Sequence, residues 1–257
     1  MTESLTIDPC AGGIARVTLN RPDRHNAFDG ELIAALGAAA VALGRDAAVR
    51  AIVITGAGRS FCAGADLGHM RAMAAADEAA NYADAMALAD TLAALDECPK
   101  PLIARVNGDA FGGGVGLVAC CDIAVGLASA QFALSEVRLG LAPATISPHV
   151  VAAIGERAMR RYALTGERFD GSRALALGLL HEAVADAAAL DTAIDRIVTE
   201  LLQGGPQAQV ETKSLVREVA TAPRDVALRR STSRRLARLR MSEEARTRIL
   251  DFLARRK

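Results

Sequence analysis

Glu136 stands in an apolar stretch, Gln131-Phe132-Ala133-Leu134-Ser135-Glu136-Val137-Arg138-Leu139-Gly140-Leu141-Ala142-Pro143. Taking a carboxylate out of water penalises its charged form, so burial there raises its pKa and suits it to proton transfer. A structural ion pair with Arg138 is the competing reading. Two glycine-rich stretches offer the complementary chemistry. In Val106-Asn107-Gly108-Asp109-Ala110-Phe111-Gly112-Gly113-Gly114-Val115-Gly116-Leu117, three consecutive glycines separate a strand-like run from an apolar helix. Glycines cost backbone entropy, so such a run signals unusual dihedrals or close contact with a ligand. Free amides at that helix start can stabilise an oxyanion. Thr55-Gly56-Ala57-Gly58-Arg59-Ser60-Phe61-Cys62-Ala63-Gly64-Ala65-Asp66-Leu67 also leads from strand to helix, with small residues at 63–65. These let backbone amides approach a ligand, although an ordinary tight turn explains this stretch equally well on its own.

Two phosphate-binding readings fail on residue identity. The dinucleotide fingerprint needs a third glycine where Phe61 stands, and that glycine is required for close helix–strand packing. The triple-glycine run contains no Ser, Cys or Lys, so a Walker-type cradle is unsupported. Asp109 is acidic and near this run, and is expected on the surface.

The elements that must hold these loops follow an α/β pattern. Residues 14–19 alternate apolar and polar and break at Asn20-Arg21-Pro22. Residues 51–55 form a continuous apolar run of the kind buried on both faces. Residues 102–106 and 123–127 repeat that character. Helical patterns span 31–43, with Gly44 as a C-terminal stop, 67–95 as one long stretch, and 115–121. Strand–helix alternation at this spacing predicts βαβ units. From about residue 187 strand signals vanish, leaving helices over 187–203, 206–220, 224–241 and 242 to the end. Ser242 is expected to cap the last of these, with Glu243 and Glu244 facing the helix dipole. The division drawn is a core over 1–195 and a helical region over 196–257.

Composition excludes broad classes. The 257 residues carry 30 basic and 30 acidic side chains, so no global field draws in nucleic acid or an anionic membrane. Seven arginines lie between 224 and 240, but no aromatics interleave for base stacking. A solvated helix face or a subunit contact is the reading for this run. No apolar run approaches the roughly 20 residues that span a bilayer. The N-terminal residues have no signal-peptide pattern, so a cytoplasmic location is expected. The five cysteines show no metal-type spacing, and adjacent Cys120 and Cys121 are expected as buried, reduced thiols.

Together, FCAGADL, VNGDAFGGG and AQFALSEVRLGLAP, with the upstream Asn20-Arg21-Pro22 and Asn26-Ala27, closely resemble the crotonase (enoyl-CoA hydratase/isomerase) superfamily. The resemblance covers essentially the whole chain, to the terminal FLARRK. It implies a spiral of ββα turns with a C-terminal helical region that builds homotrimers, commonly paired into hexamers. It also implies an acyl-CoA thioester substrate, with coenzyme A entering as part of that substrate and no metal or redox cofactor. By motif matching, the Ala65 and Gly113 amides hold the thioester oxygen and Glu136 is the acid/base. Ala63, Asp66 and Leu67 lie along the adenine and pantetheine path, Gly112 and Gly116 join the substrate-binding set, and Arg24 lies near the phosphates. Lys257 and its arginine neighbours are further candidates for the CoA phosphates.

One position departs from the pattern. Two-glutamate hydratases of the superfamily carry their first glutamate where this chain has Gly116, which is expected to leave space there for a water. The run SEVRLGLAPATISPHVV, with IGERAMRRYALTGERFDG, is similar to bacterial methylglutaconyl-CoA and carboxygeranoyl-CoA hydratases. Those act on branched acyl-CoAs with a distal carboxylate, which Arg138 or His69 is a candidate to meet. The function implied is an enoyl-CoA hydratase. A Δ3,Δ2-enoyl-CoA isomerase using Glu136 alone is the alternative, and an RNA-binding, non-catalytic homologue is the alternative of another class.

Overall fold

The computed structural model describes residues 4–255, with the backbone alone at 9–11. The chain opens with β1 (Leu5–Cys10), β2 (Ile14–Leu19), α1 (Gly30–Arg45), β3 (Ala51–Gly56) and β4 (Ser60–Cys62). Next come α2 (Leu67–Ala74), α3 (Glu78–Asp96), β5 (Leu102–Val106), β6 (Asp109–Phe111) and α4 (Gly113–Ala119). After β7 (Ile123–Leu127), β8 (Gln131–Ala133) and a 3-10 turn at Glu136–Leu139 lie α5 (Ser147–Thr165), β9 (Phe169–Asp170), α6 (Gly171–Leu177) and β10 (Glu182–Val184). The remainder is helical: α7 (Ala187–Gln203), α8 (Pro206–Thr221), α9 (Val226–Arg240) and α10 (Glu243–Ala254).

The strands form two sheets. The larger has the order β1-β2-β3-β5-β7-β10 and is parallel except for the β1–β2 hairpin. The smaller has the order β4-β6-β8-β9, with β4, β6 and β8 parallel and β9 antiparallel. Every residue of β3 is buried, which is why its sequence is a continuous apolar run rather than an alternation. Successive side chains still divide between two faces. Ala51 and Val53 pack with Ile103 and Val125 against Leu190, Ala193, Ile194 and Ile197 of α7. Ile52 and Ile54 point the other way, into the main core with Leu32, Leu36, Leu92 and Leu95 of α1 and α3.

Three expectations change at this level. The helix expected over 67–95 is two helices, α2 and α3, because Asp77 leaves helical dihedrals and caps Ala80 N at 2.8 Å. Gly44 does not end α1; it lies inside the helix, where a Cβ would come 3.1 Å from Pro99, and the C-cap is Asp46. The helix expected over 115–121 begins two residues earlier, at Gly113. The boundary at 195/196 falls within α7, whose buried face completes the core. Beyond it, α8, α9 and α10 bury no residue. Ser242 caps α10 as expected, accepting from Ala245 N at 3.2 Å. Cys62, Cys98 and Cys120 are buried free thiols, and burial pushes the Cys62 thiol up to about 12. Among the described residues no helix is long and apolar enough to cross a membrane.

Candidate active site

The small sheet brings the three informative segments together. Parallel pairing sets Cys62 beside Ala110 and Phe111 beside Ala133, so β4, β6 and β8 deliver their C-terminal loops side by side. Gly112 N extends this ladder by donating to Ala133 O at 2.9 Å. Two amide side chains, the buried Asn26 and the half-buried Asn107, hold the approach to the first loop. Asn26 Nδ2 donates to Ala57 O and Ser60 O at 2.9 and 2.8 Å. Asn107 Oδ1 accepts from Thr55 Oγ1 and Gly56 N, both at 3.0 Å.

Gly64 turns the first loop with φ +84°, where a Cβ would also come 2.8 Å from Phe111 O and 3.6 Å from Gly113 N. Only glycine accepts that conformation and that closeness cheaply. The first loop therefore lies directly on the second. Gly64 O accepts from Phe28 N, and Asp66 N donates to Phe28 O. Ala65 is held between these bonds while its own N–H has no acceptor among the described residues. Gly113, as the first residue of α4, also has no acceptor for its N–H among them, as helix N-termini require. The two free amides lie on adjoining loops; backbone donors that converge on one oxygen stabilise the negative charge it gains.

Glu136 follows β8 and begins the 3-10 turn. A Cβ on Gly112 would lie 2.9 Å from Glu136 Oε1, so the carboxyl group sits against the glycine run. Its Oε2 is buried without a hydrogen-bond partner among the described residues. Burial raises the Glu136 pKa, opposed only in part by its own backbone N–H. No ion pair joins it to Arg138; that arginine is exposed and lies against Gly166. A buried carboxylate oxygen left unpaired is costly to the fold and calls for a chemical reason.

The sign of that cost is testable. With the folded-state pKa raised, the ionised carboxylate destabilises the fold as pH rises above the unfolded value, and most fully above the folded one. Glu136→Gln is expected to raise Tm at neutral pH, with the gain shrinking toward acid pH; scanning calorimetry at both pH values checks it. The acid limb of kcat/KM should likewise lie above the ordinary glutamate range near about 4.3.

The other expected site residues fall into place unevenly. Asp66 is buried and caps α2, with Oδ1 accepting from Gly68 N at 2.8 Å and His69 N at 3.2 Å. Desolvation works against its ionisation, but these amides, Arg21 and Arg24 together lower its pKa. Its carboxylate is thus committed to the fold. Arg24 is exposed near it, Ala63 is half-buried, and Leu67 is 78% exposed at the mouth of the same loop. His69 is hydrogen-bonded to Asp84 at 2.8 Å. Asp109 is half-buried rather than on the surface, because its Oδ1 accepts from Gln131 N at 2.9 Å and ties β6 to β8. Lys257 lies outside the described residues.

Gly116 corrects an expectation. No space opens beside it: a Cβ there would meet Ile146 Cγ2 at 2.4 Å and Ile146 Cβ at 2.8 Å. Ile146 is 2% exposed, so an apolar side chain fills the place expected for a water. Ile146 and Phe28 are absent from the expected site residues, and Arg21 enters the sequence analysis only within Asn20-Arg21-Pro22. Ile146 is ten residues past Glu136 with no local pattern to mark it, whereas Phe28 directly follows the Asn26-Ala27 pair already singled out.

Comparison with known proteins identifies the family. The family model described as enoyl-CoA hydratase/isomerase matches residues 10–257. The enoyl-CoA hydratase ACTT6 of Alternaria alternata is 37% identical over 217 residues, 83% of this chain and 70% of that protein. The crystal structure of an enoyl-CoA hydratase from Shewanella pealeana superposes with a TM-score of 0.94 at 40% identity, covering 98% of this chain and 94% of that one. AtuE of Pseudomonas aeruginosa gives a TM-score of 0.94 at 37% identity, covering 98% and 96%. Extending over nearly the whole fold, these matches place the chain in the enoyl-CoA hydratase/isomerase family of the crotonase superfamily.

Proposed function

We propose that the protein hydrates an α,β-unsaturated acyl-CoA, with Glu136 as its one carboxylate for proton transfer. The observation that carries this reading is the buried, unpartnered Oε2 of Glu136 beside the Gly112–Gly113 loop. The thioester oxygen is received by the Ala65 and Gly113 amides, which polarise C3 of the conjugated alkene. Water attacks C3 while Glu136 accepts the water proton. The electron pair of the alkene moves onto the thioester as an enolate, held at the same two amides. Glu136 then returns its proton to C2, so one water is added and the carboxylate is regenerated. Its raised pKa suits both halves, since a carboxyl nearer neutrality gives back a proton more readily.

A second reading is favoured by Ile146. With the place beside Gly116 filled by an apolar side chain, no second carboxylate assists water, and shuttling a proton between C4 and C2 in a Δ3,Δ2-isomerase needs only one. The test is to incubate the protein separately with a 2-enoyl-CoA panel and a 3-enoyl-CoA panel and follow mass. A gain of one water on any 2-enoyl-CoA supports hydration. Conversion of 3-enoyl to 2-enoyl thioesters with no mass change on either panel overturns it. Gly116→Glu is expected to fail as a gain-of-function change unless Ile146 is shortened with it, because the new side chain collides with Ile146.

The acyl chain proposed is branched with a distal carboxylate, on the strength of the residues around Glu136. Arg138 is the candidate contact, since it has no ion-pair partner among the described residues, whereas His69 is already bonded to Asp84. A kcat/KM no higher for carboxylated branched substrates than for crotonyl-CoA rejects this refinement. The tail is proposed to build a trimer or hexamer: Ile249, Leu250 and Leu253 of α10 are 49%, 67% and 53% exposed. Sedimentation giving the 26.7 kDa monomer mass at micromolar concentration would reject that assembly.

A further inference from the structure

Phe28 connects the two proposed oxyanion donors: its backbone bonds the residues flanking Ala65, and its ring packs on Gly113. Its N–H donates to Gly64 O at 2.6 Å and its carbonyl accepts from Asp66 N at 2.8 Å, so its peptide units grip the residues on either side of Ala65. Its ring packs on the second donor: a Cβ built on Gly113 would stand 2.9 Å from Phe28 Cδ2 and 3.0 Å from Cε2. The glycine Cα therefore rests on the ring with no room to approach further. Phe28 is 3% exposed, so neither contact yields to solvent.

The chain on both sides of Phe28 is pinned. Asn26 is fully buried in a left-handed conformation with φ 56°, and its Oδ1 accepts from Arg21 N at 2.9 Å. Arg21 donates through Nη1 to Ala27 O and pairs through Nη2 with Asp29 at 2.8 Å and with Asp66 at 3.3 Å. Asp29 in turn caps α1 by accepting from Leu32 N at 2.9 Å. The backbone of Phe28 has little freedom to move, and the ring transmits its position to Gly113.

We infer that Phe28 is a positioning residue for the oxyanion hole, setting the distance between the Ala65 and Gly113 amides by the length of its side chain. The inference rests on the reading of those two amides as the thioester site. Phe28 touches no reacting atom. Shortening it leaves the Ala65 side of the hole in place, because that side is held by backbone bonds, and lets the Gly113 loop settle inward. A misplacement on the order of 1 Å is enough to cost about 100-fold in rate, while the many contacts of a CoA thioester outside the hole are unchanged.

The test compares Phe28→Leu and Phe28→Ala with Leu36→Ala, a core change on α1 at a residue 1% exposed and outside both loops. Each protein is assayed for kcat and KM, and the carbonyl stretch of bound crotonyl-CoA labelled with carbon-13 at C1 is read by difference infrared. Phe28→Ala is expected to lower kcat about 10- to 100-fold with KM within threefold, and to lose much of the carbonyl shift seen on binding to wild type. Phe28→Leu should fall between it and wild type. Leu36→Ala should lower Tm yet keep both kcat and the shift. If Phe28→Ala fails to fold, Phe28→Leu decides, since it keeps apolar fill but removes the ring. A Phe28 variant that loses stability while keeping the full carbonyl shift and kcat within twofold overturns the inference. A wild-type protein that shows no carbonyl shift instead overturns the reading of the hole itself.

Discussion

Glu136→Gln is expected to lower turnover about 100- to 10,000-fold, the usual worth of general acid–base catalysis, while leaving acyl-CoA binding in place. The amide has the shape of the carboxyl group, so the contact with Gly112 is kept. It cannot accept the proton that either proposed reaction requires. Hydration and isomerisation therefore fail together in this variant, which makes the result a test of the residue rather than of the reaction. Binding survives because the proposed hole is made of backbone, on loops that Glu136 does not support through any hydrogen bond: its Oε2 is unpartnered. Affinity for a non-reacting thioester, measured by calorimetry, separates the two effects. Turnover within threefold of wild type would remove Glu136 from the mechanism.

The predicted gain in Tm for the same variant ties this role to the fold. A carboxylate kept dry and unpaired costs stability in its ionised form, and a residue that weakens the fold while serving the chemistry is the expected trade at a working site. Arg138, two positions on, could have relieved that cost. The 3-10 turn points it instead toward Gly166, leaving the Glu136 carboxylate without that counterion.

Much of the large sheet was legible because burial on both faces writes itself as an apolar run, as in β3. The helices of the tail were legible from their patterns and from the cap at Ser242. The small sheet was not. Its strands β4, β6 and β8 have three residues each, too few for any period to register, although they carry all three loops of the site. The glycines marked where those loops lie, but not that Gly64 and Gly113 touch. Residue identity also misled at Gly116, since an absent side chain reads as an opening and only packing shows that Ile146 closes it. Asp66 shows the converse: an acid beside a ligand loop looks available, yet its oxygens are engaged by Gly68, His69 and Arg21. What the sequence conveys best is which residues are unusual; which neighbours they meet is decided by contacts distant along the chain.

Ala65→Pro is expected to lower kcat about 100- to 1000-fold, the usual cost of deleting one oxyanion donor. Backbone donors resist mutation, but proline removes its own N–H, while also locking its φ at about −65°. The position suits the change. Ala65 is exposed, so the ring has room, and its N–H donates to no acceptor among the described residues, so no structural bond is broken. The bonds that hold the loop belong to the neighbouring peptide groups, through Gly64 O and Asp66 N to Phe28, and they remain. Proline restricts the residue before it, which here is Gly64, the residue type most tolerant of an unusual conformation. Ala65→Gly is the companion variant: it keeps the donor, loses only a methyl group, and should stay within a few-fold of wild type. The proposed Gly113 donor remains in Ala65→Pro, so some catalysis is expected to persist with little change in substrate affinity. If Ala65→Pro folds, binds thioester and turns over within threefold of Ala65→Gly, then the Ala65 amide holds no developing charge, and the hole must be built from Gly113 and other donors.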